Sequence, residues 1–172
     1  LRILGALAIG AAIGFERSYH GRPAGFRTHA LVCMASALLM LVTVYQTRWM
    51  TELTIEAIRT DPTRMAQGIM TGIGFLGAGV IFKEGLTVRG LTTAASIWIT
   101  ASIGILVGIG FWFPAIVGTI ATVLVLSAFR LIESQMPSEF YAHFHIRYKR
   151  ASVAAEDERN FAEPVDIADV LE

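Results

Sequence analysis

Residues 90–129 read GLTTAASIWITASIGILVGIGFWFPAIVGTIATVLVLSAF, 40 residues between Arg89 and Arg130 without one formal charge. A helix needs about 20 largely apolar residues to cross a roughly 30 Å hydrocarbon core, so this run holds two crossings in succession. The break between them falls in Gly108-Ile109-Gly110-Phe111-Trp112-Phe113-Pro114, where two glycines and a proline favour a turn. The aromatic residues there suit the membrane–water boundary.

Working back toward the N-terminus, 18 charge-free residues separate Arg64 from Lys83, 20 separate Arg27 from Arg48, and 13 separate Arg2 from Glu16. The two longer intervals each fit one crossing. The shortest is in the range of a signal peptide, but no basic segment precedes it and no A-x-A-like cleavage site ends it. We read Leu1–Phe15 as the visible part of a first span, which makes five.

Composition agrees. Residues of the AVILMFWYC class make up 54% of the 172 and charged residues 16%, where a soluble domain carries about 25% charged residues. Mean hydropathy is +0.58. Lys+Arg 14 and Asp+Glu 14 cancel, so no general basic field exists to recruit nucleic acid. One cysteine excludes an intrachain disulfide framework and a Cys-cluster zinc site. The expected fold is an all-α membrane protein, with five transmembrane helices over residues 1–135 and a short cytoplasmic C-terminal extension, 136–172.

Basic residues set the orientation. Arg17, Arg22 and Arg27 follow the first span, Lys83 and Arg89 follow the third, and Arg130, Arg147, Lys149 and Arg150 follow the fifth. Five spans put these segments on one side, the cytoplasm, with the N-terminus outside. Arg48, Arg59 and Arg64 in the intervening outer loop are matched by Glu52, Glu56 and Asp61, and weaken this bias without reversing it.

Helices in lipid associate through small residues and shared hydrogen bonds. Gly10-x-x-x-Gly14, Gly68-x-x-x-Gly72 and Gly104-x-x-x-Gly108 provide such stripes, and Gly74, Gly77 and Gly79 extend the second. Packing within the chain is the first reading; contact with a second copy or a partner helix is the other. Gly72-Ile73-Gly74-Phe75-Leu76-Gly77 also matches G-x-G-x-x-G, but it sits inside an apolar interval with no basic residue from Met65 to Phe82, so a nucleotide site is rejected.

A polar network is expected at the cytoplasmic edge, formed by Glu16, Arg17, Arg22, Arg27, Thr28, Glu84, Arg89, Thr92 and Thr93, with Ser96 near. A carboxylate at a span's end loses hydration unless an arginine pairs with it. We therefore expect Arg17, Arg27 or Arg89 to hold Glu16 and Glu84. The same two carboxylates are the minimum for a Mg²⁺ site, a weaker reading because arginines oppose a divalent cation. No other metal, cofactor or catalytic group is expected.

Three stretches then resemble the MgtC/SapB family of bacterial inner-membrane proteins: Gly14-Phe15-Glu16-Arg17 through Gly25-Phe26-Arg27-Thr28, Gly72-Ile73-Gly74-Phe75-Leu76-Gly77-Ala78-Gly79-Val80-Ile81, and Val88-Arg89-Gly90-Leu91-Thr92-Thr93-Ala94-Ala95. The resemblance covers about residues 1–135 and implies a five-helix membrane domain. It also implies a link to growth under magnesium limitation and to virulence, and a regulator of the F-type ATP synthase or other membrane proteins rather than a transporter. Longer relatives carry an ACT-like cytoplasmic domain; here the alternating residues Phe140–Arg150 match one strand of it and 22 residues follow. Some members carry a cysteine after the tryptophan of the fourth span, where this sequence has Ile99.

The remaining features read as ordinary structure. His143 and His145 share one face of the candidate strand, two ligands where structural zinc takes four. His20 and His29 lie at the first cytoplasmic turn as interfacial residues, with pH sensing as the alternative. Cys33 is a small side chain in the second span. The loop Gln46–Arg64 can form an amphipathic surface helix, and the tail Glu156–Glu172 is acidic. The function expected is a non-enzymatic membrane regulator or assembly factor, and the alternative is a transporter or channel for Mg²⁺ or another cation.

Overall fold

The computed structural model describes residues 1–49, 61, 63–85 and 87–133. The chain divides into two compact units, Leu1–Met136 and Pro137–Glu172. The candidate strand 140–150 with its two histidines, the acidic tail and most of the loop Gln46–Arg64 lie outside the described residues.

Each charge-free interval contains one helix, or two in the longest. These are α1 (Arg2–Tyr19), α2 (Phe26–Val44), α4 (Thr63–Val80), α5 (Leu91–Ile109) and α6 (Trp112–Glu133), with a single turn, α3 (Gln46–Trp49), after α2. Ahead of α4, Asp61 Oδ1 accepts the Thr63 N–H (2.9 Å) and hydroxyl (2.7 Å). Those two bonds hold its carboxyl below the ordinary carboxylate value.

The turn between α4 and α5 departs from the all-α expectation. Phe82–Glu84 (β1) and Thr87–Arg89 (β2) form an antiparallel hairpin, with Phe82 opposite Arg89 and Glu84 opposite Thr87. Two short strands rich in aromatic and β-branched residues suit such a ribbon, and Gly85 turns it at a positive φ of 61°. Gly90 closes the hairpin onto α5 at φ +91°, where a side chain would run into the Val80 carbonyl. Only glycine combines that backbone angle with that approach.

The break in the 40-residue interval falls between Ile109 and Trp112. Gly110, at φ +96°, donates to the Leu106 and Val107 carbonyls, both at 3.1 Å, and Phe111 N–H reaches Leu106 O at 2.8 Å. This is the left-handed glycine stop of a helix. Arg2 Nη1 donates to Gly108 O at 3.0 Å, placing a cation on the carbonyl end of α5, where the helix dipole favours it.

Helices α1, α2 and α5 pack against one another; α4 lies chiefly along α5, and α6 against α5 and α1. The interior is apolar, with Ala6, Ile13, Cys33, Ala37, Ile103 and Val107 in one cluster and Val32, Met40, Ile69, Ile73, Ile97 and Ala101 in another. The outside is apolar too: Phe75 is 83% exposed and Phe113 80%. Helices hydrophobic all round belong in a lipid solvent. Two of them, α2 and α5, are long and apolar enough to cross a membrane; the apolar part of α6, Trp112–Ala128, is shorter.

The glycine stripes do not behave alike. A Cβ at Gly10 would come 2.7 Å from Cys33 Cβ, and one at Gly14 would come 2.6 Å from Phe26 Cα. At Gly104 it would meet the Cys33 carbonyl and Ser36, and at Gly108 it would lie 2.7 Å from Met40 Cβ. Helix α2 is thus held between two glycine faces. On α4 the surroundings are open instead: among the described residues Gly68, Gly72, Gly74 and Gly79 have no neighbour within 4 Å of such an atom, and Gly77 has Ala94 at 3.7 Å. Consequently Gly104→Ala should lower unfolding stability in detergent by about 1–3 kcal/mol, as overpacking does. Gly72→Ala should stay within about 0.5 kcal/mol of the parent; equal losses in a denaturant titration would contradict this packing.

Candidate functional site

The polar centre is built at the end of α1. Because Gly14 has no side chain, the start of α2 lies directly on α1, and the two residues after Phe15 are covered. Glu16 is 9% exposed and Arg17 4%. Ser18 completes the corner: its Oγ accepts the Phe26 N–H at 2.9 Å. Ala24, in the turn, holds a left-handed φ of 55°, a conformation that costs a non-glycine residue about 1–2 kcal/mol.

Arg17 Nη2 donates to Thr93 Oγ1 at 2.9 Å, joining α1 to the first turn of α5. One turn further along α5, Ser96 Oγ donates to the Thr93 carbonyl at 2.8 Å and lies 3.1 Å from His29 Nε2. His29 is fully buried, and its Nδ1 sits 3.0 Å from the Gly25 carbonyl. A continuous chain, Arg17–Thr93–Ser96–His29–Gly25, therefore ties α1, α5 and α2 at one end of the bundle.

Of the expected ion pairs, the one between Arg89 and Glu84 forms and the one on Glu16 is replaced. Glu16 Oε1 meets His20 Nδ1 at 3.0 Å, a nitrogen also 2.9 Å from the Glu16 carbonyl. Arg17 does not close on Glu16, because adjacent helical residues point in different directions whereas residues four apart share a face. Glu84 is paired with Arg89 at 3.2 Å within the hairpin, both 65% exposed. Arg22, Arg27 and Thr92 are exposed, Thr28 is half-buried and Thr93 is buried. His29 is an internal residue rather than an interfacial one. It lies one turn before Cys33 and two before Ala37, on the buried face of α2, and that spacing was the available signal for it. Ser18, too, links elements in a way its composition did not announce, and Ser96, expected near the network, carries it on to α2.

These groups border a cavity of about 680 Å³ whose walls include Glu16, Arg17, His20, Arg22, Arg89 and Thr93. Two buried atoms, Glu16 Oε2 and Arg17 Nε, have no hydrogen-bond partner among the described residues. Among those residues, too, no three His, Cys, Asp or Glu side chains gather as a metal-binding group. The site can hold charge and orient polar groups.

The sequence profile of the MgtC family matches residues 3–135. The chain belongs to the MgtC family. Membership, together with α2 and α5, makes it a membrane protein. It is 42% identical over 139 residues to YhiD of Escherichia coli K12, whose name proposes magnesium transport; the match spans 81% of this chain and 63% of that protein. SrpB of Synechococcus elongatus is 41% identical over 140 residues, 77% of this chain and 75% of its own. MgtC of Brucella abortus is 41% identical over 128 residues, 74% of this chain and 50% of that protein. The chain thus covers between half and three-quarters of these relatives. No solved structure matches it.

The Arg17–Thr93 bond should be measurable. A buried guanidinium deprived of its acceptor loses about 1.5–3 kcal/mol, so Thr93→Val should destabilise the detergent-solubilised protein by that amount and Thr93→Ser should restore it. A Thr93→Val protein unfolding at the parent midpoint would contradict the assignment.

Proposed function

We propose that this MgtC-family chain is a non-enzymatic regulator or assembly factor of the bacterial inner membrane, acting through helix–helix contact with another membrane protein. The reading includes five crossings, the N-terminus outside and the C-terminus cytoplasmic. α1 and α4, at 18 residues each, are long enough to cross by tilting little or by drawing the bilayer in.

The observation that carries the proposal is the uncovered face of α4. Among the described residues nothing lies within 4 Å of a Cβ built at Gly68, Gly72, Gly74 or Gly79, whereas the helical pairs Gly10–Gly14 and Gly104–Gly108 are filled by α2. In lipid, a smooth helix face is what a second helix packs against. The apolar clusters along α1, α2 and α5 support the reading as well. An ion route uses polar groups through the depth of a bundle, and here the buried charges stand at one end. A link to growth under magnesium limitation and a partner such as the F-type ATP synthase follow from the family resemblance.

A specific observation favours the alternative, cation transport: Glu16 Oε2 is buried without a partner, as a carboxylate awaiting a cation would be. The relative YhiD carries a name of that kind. The neighbouring arginines weigh against it.

One pair of experiments separates them. A photo-crosslinking residue at Phe75, beside the open glycines, should capture a discrete membrane-protein partner in native membranes, and Gly72→Leu should abolish that adduct. Proteoliposomes of the purified chain should take up Mg²⁺ no faster than empty vesicles. Mg²⁺ uptake that Glu16→Gln removes, without any adduct at Phe75, would transfer the case to transport; an adduct with a second copy alone would make α4 a homodimer face.

A further inference from the structure

The cavity at the α1 end has two unmet demands of opposite kind. Arg17 Nε can only donate a hydrogen bond, and the Glu16 carboxylate can only accept one. Among the described residues both atoms are buried without partners, and both residues line the same cavity. Being successive on α1, their side chains diverge and do not satisfy one another. A ligand that is purely anionic would meet Arg17 and be repelled by Glu16; a purely cationic one would meet the reverse. Both demands are met at once by a molecule carrying an acceptor and a donor of opposite charge a short distance apart.

Other residues in the wall narrow the chemistry. Arg22 and Arg89 add two guanidinium groups, whose planar donor sets suit the paired oxygens of a phosphate. The Arg89–Glu84 pair is largely exposed and weak enough for a phosphate oxygen to compete with it. Phe82, Val88 and Leu91 supply an apolar side to the same cavity, suited to the carbon part of an amphiphile.

We infer that this cavity binds a zwitterion joining a primary ammonium to a phosphate ester, with the ammonium on Glu16 and the phosphate on Arg17 and Arg22. The chemistry is that of a phosphatidylethanolamine headgroup or of free phosphoethanolamine, and the apolar wall favours the lipid. The inference does not depend on which protein α4 meets.

The full chain, purified in detergent, is titrated with phosphatidylethanolamine, phosphatidylglycerol and soluble phosphoethanolamine, with binding read by native mass spectrometry and thermal shift. Phosphatidylethanolamine should bind about tenfold more tightly than phosphatidylglycerol, the value of one charge-assisted hydrogen bond. Glu16→Gln should erase that preference, and Arg22→Ala, an exposed turn position, should weaken both lipids alike. Soluble phosphoethanolamine binding as well as the lipid would support the headgroup and assign it a free source. Equal affinity for the two lipids in the parent protein, or a preference that survives Glu16→Gln, would overturn the inference, as would no binding at all.

Discussion

The structure depends on how closely α2 is allowed to approach its two neighbours. Where the solvent is hydrocarbon, burying a leucine gains little, and association rests on contact distance and on hydrogen bonds between helices. Gly10 and Gly14 on one side, and Gly104 and Gly108 on the other, let α1 and α5 reach the backbone of α2 at Phe26, Ala30, Cys33 and Ala37. A methyl group at any of the four would occupy space already taken. The three-helix centre follows from that, and α4 and α6 are added to it.

The same approach creates the polar end. Once Gly14 seats the start of α2, Glu16 and Arg17 lose water, and a buried guanidinium must find acceptors. Thr93 supplies one. Ser96 and His29 extend the bonding to α2, so a group that began as a desolvation problem fixes the relative heights of three helices. Among the described residues Glu16 Oε2 and Arg17 Nε stay without partners, and their residues line a cavity that also touches Phe82, Val88 and Arg89 of the hairpin.

Much of this was readable in the sequence because charge spacing reports helix length directly. The intervals bounded by Arg2, Arg27, Arg64, Arg89 and Arg130 each coincide with described helices, and Gly110 and Pro114 mark the break that the structure places between α5 and α6. Identical G-x-x-x-G spacings, by contrast, hid opposite environments: Gly104 is filled and Gly72 open, a distinction made by neighbours distant in sequence. The hairpin escaped because strands of three residues each show no period long enough to read. Glu16 and His20 are four apart and could have been paired from spacing alone; the apparent complementarity of Glu16 with Arg17 drew attention to the wrong neighbour. His29 was legible only as a position on α2, since its partner Ser96 lies 67 residues away.

Cys33 provides the most direct test of the central clamp. It is the single cysteine of the chain, it is fully buried, and both Gly10 and Gly104 pack on it. A small membrane-permeant maleimide added to native membranes should leave Cys33 unmodified and should label it fully once the chain is unfolded in detergent and heat. Labelling of the native protein at the rate of the unfolded chain would mean that the two glycine faces do not close on α2, and the account would be contradicted at its foundation.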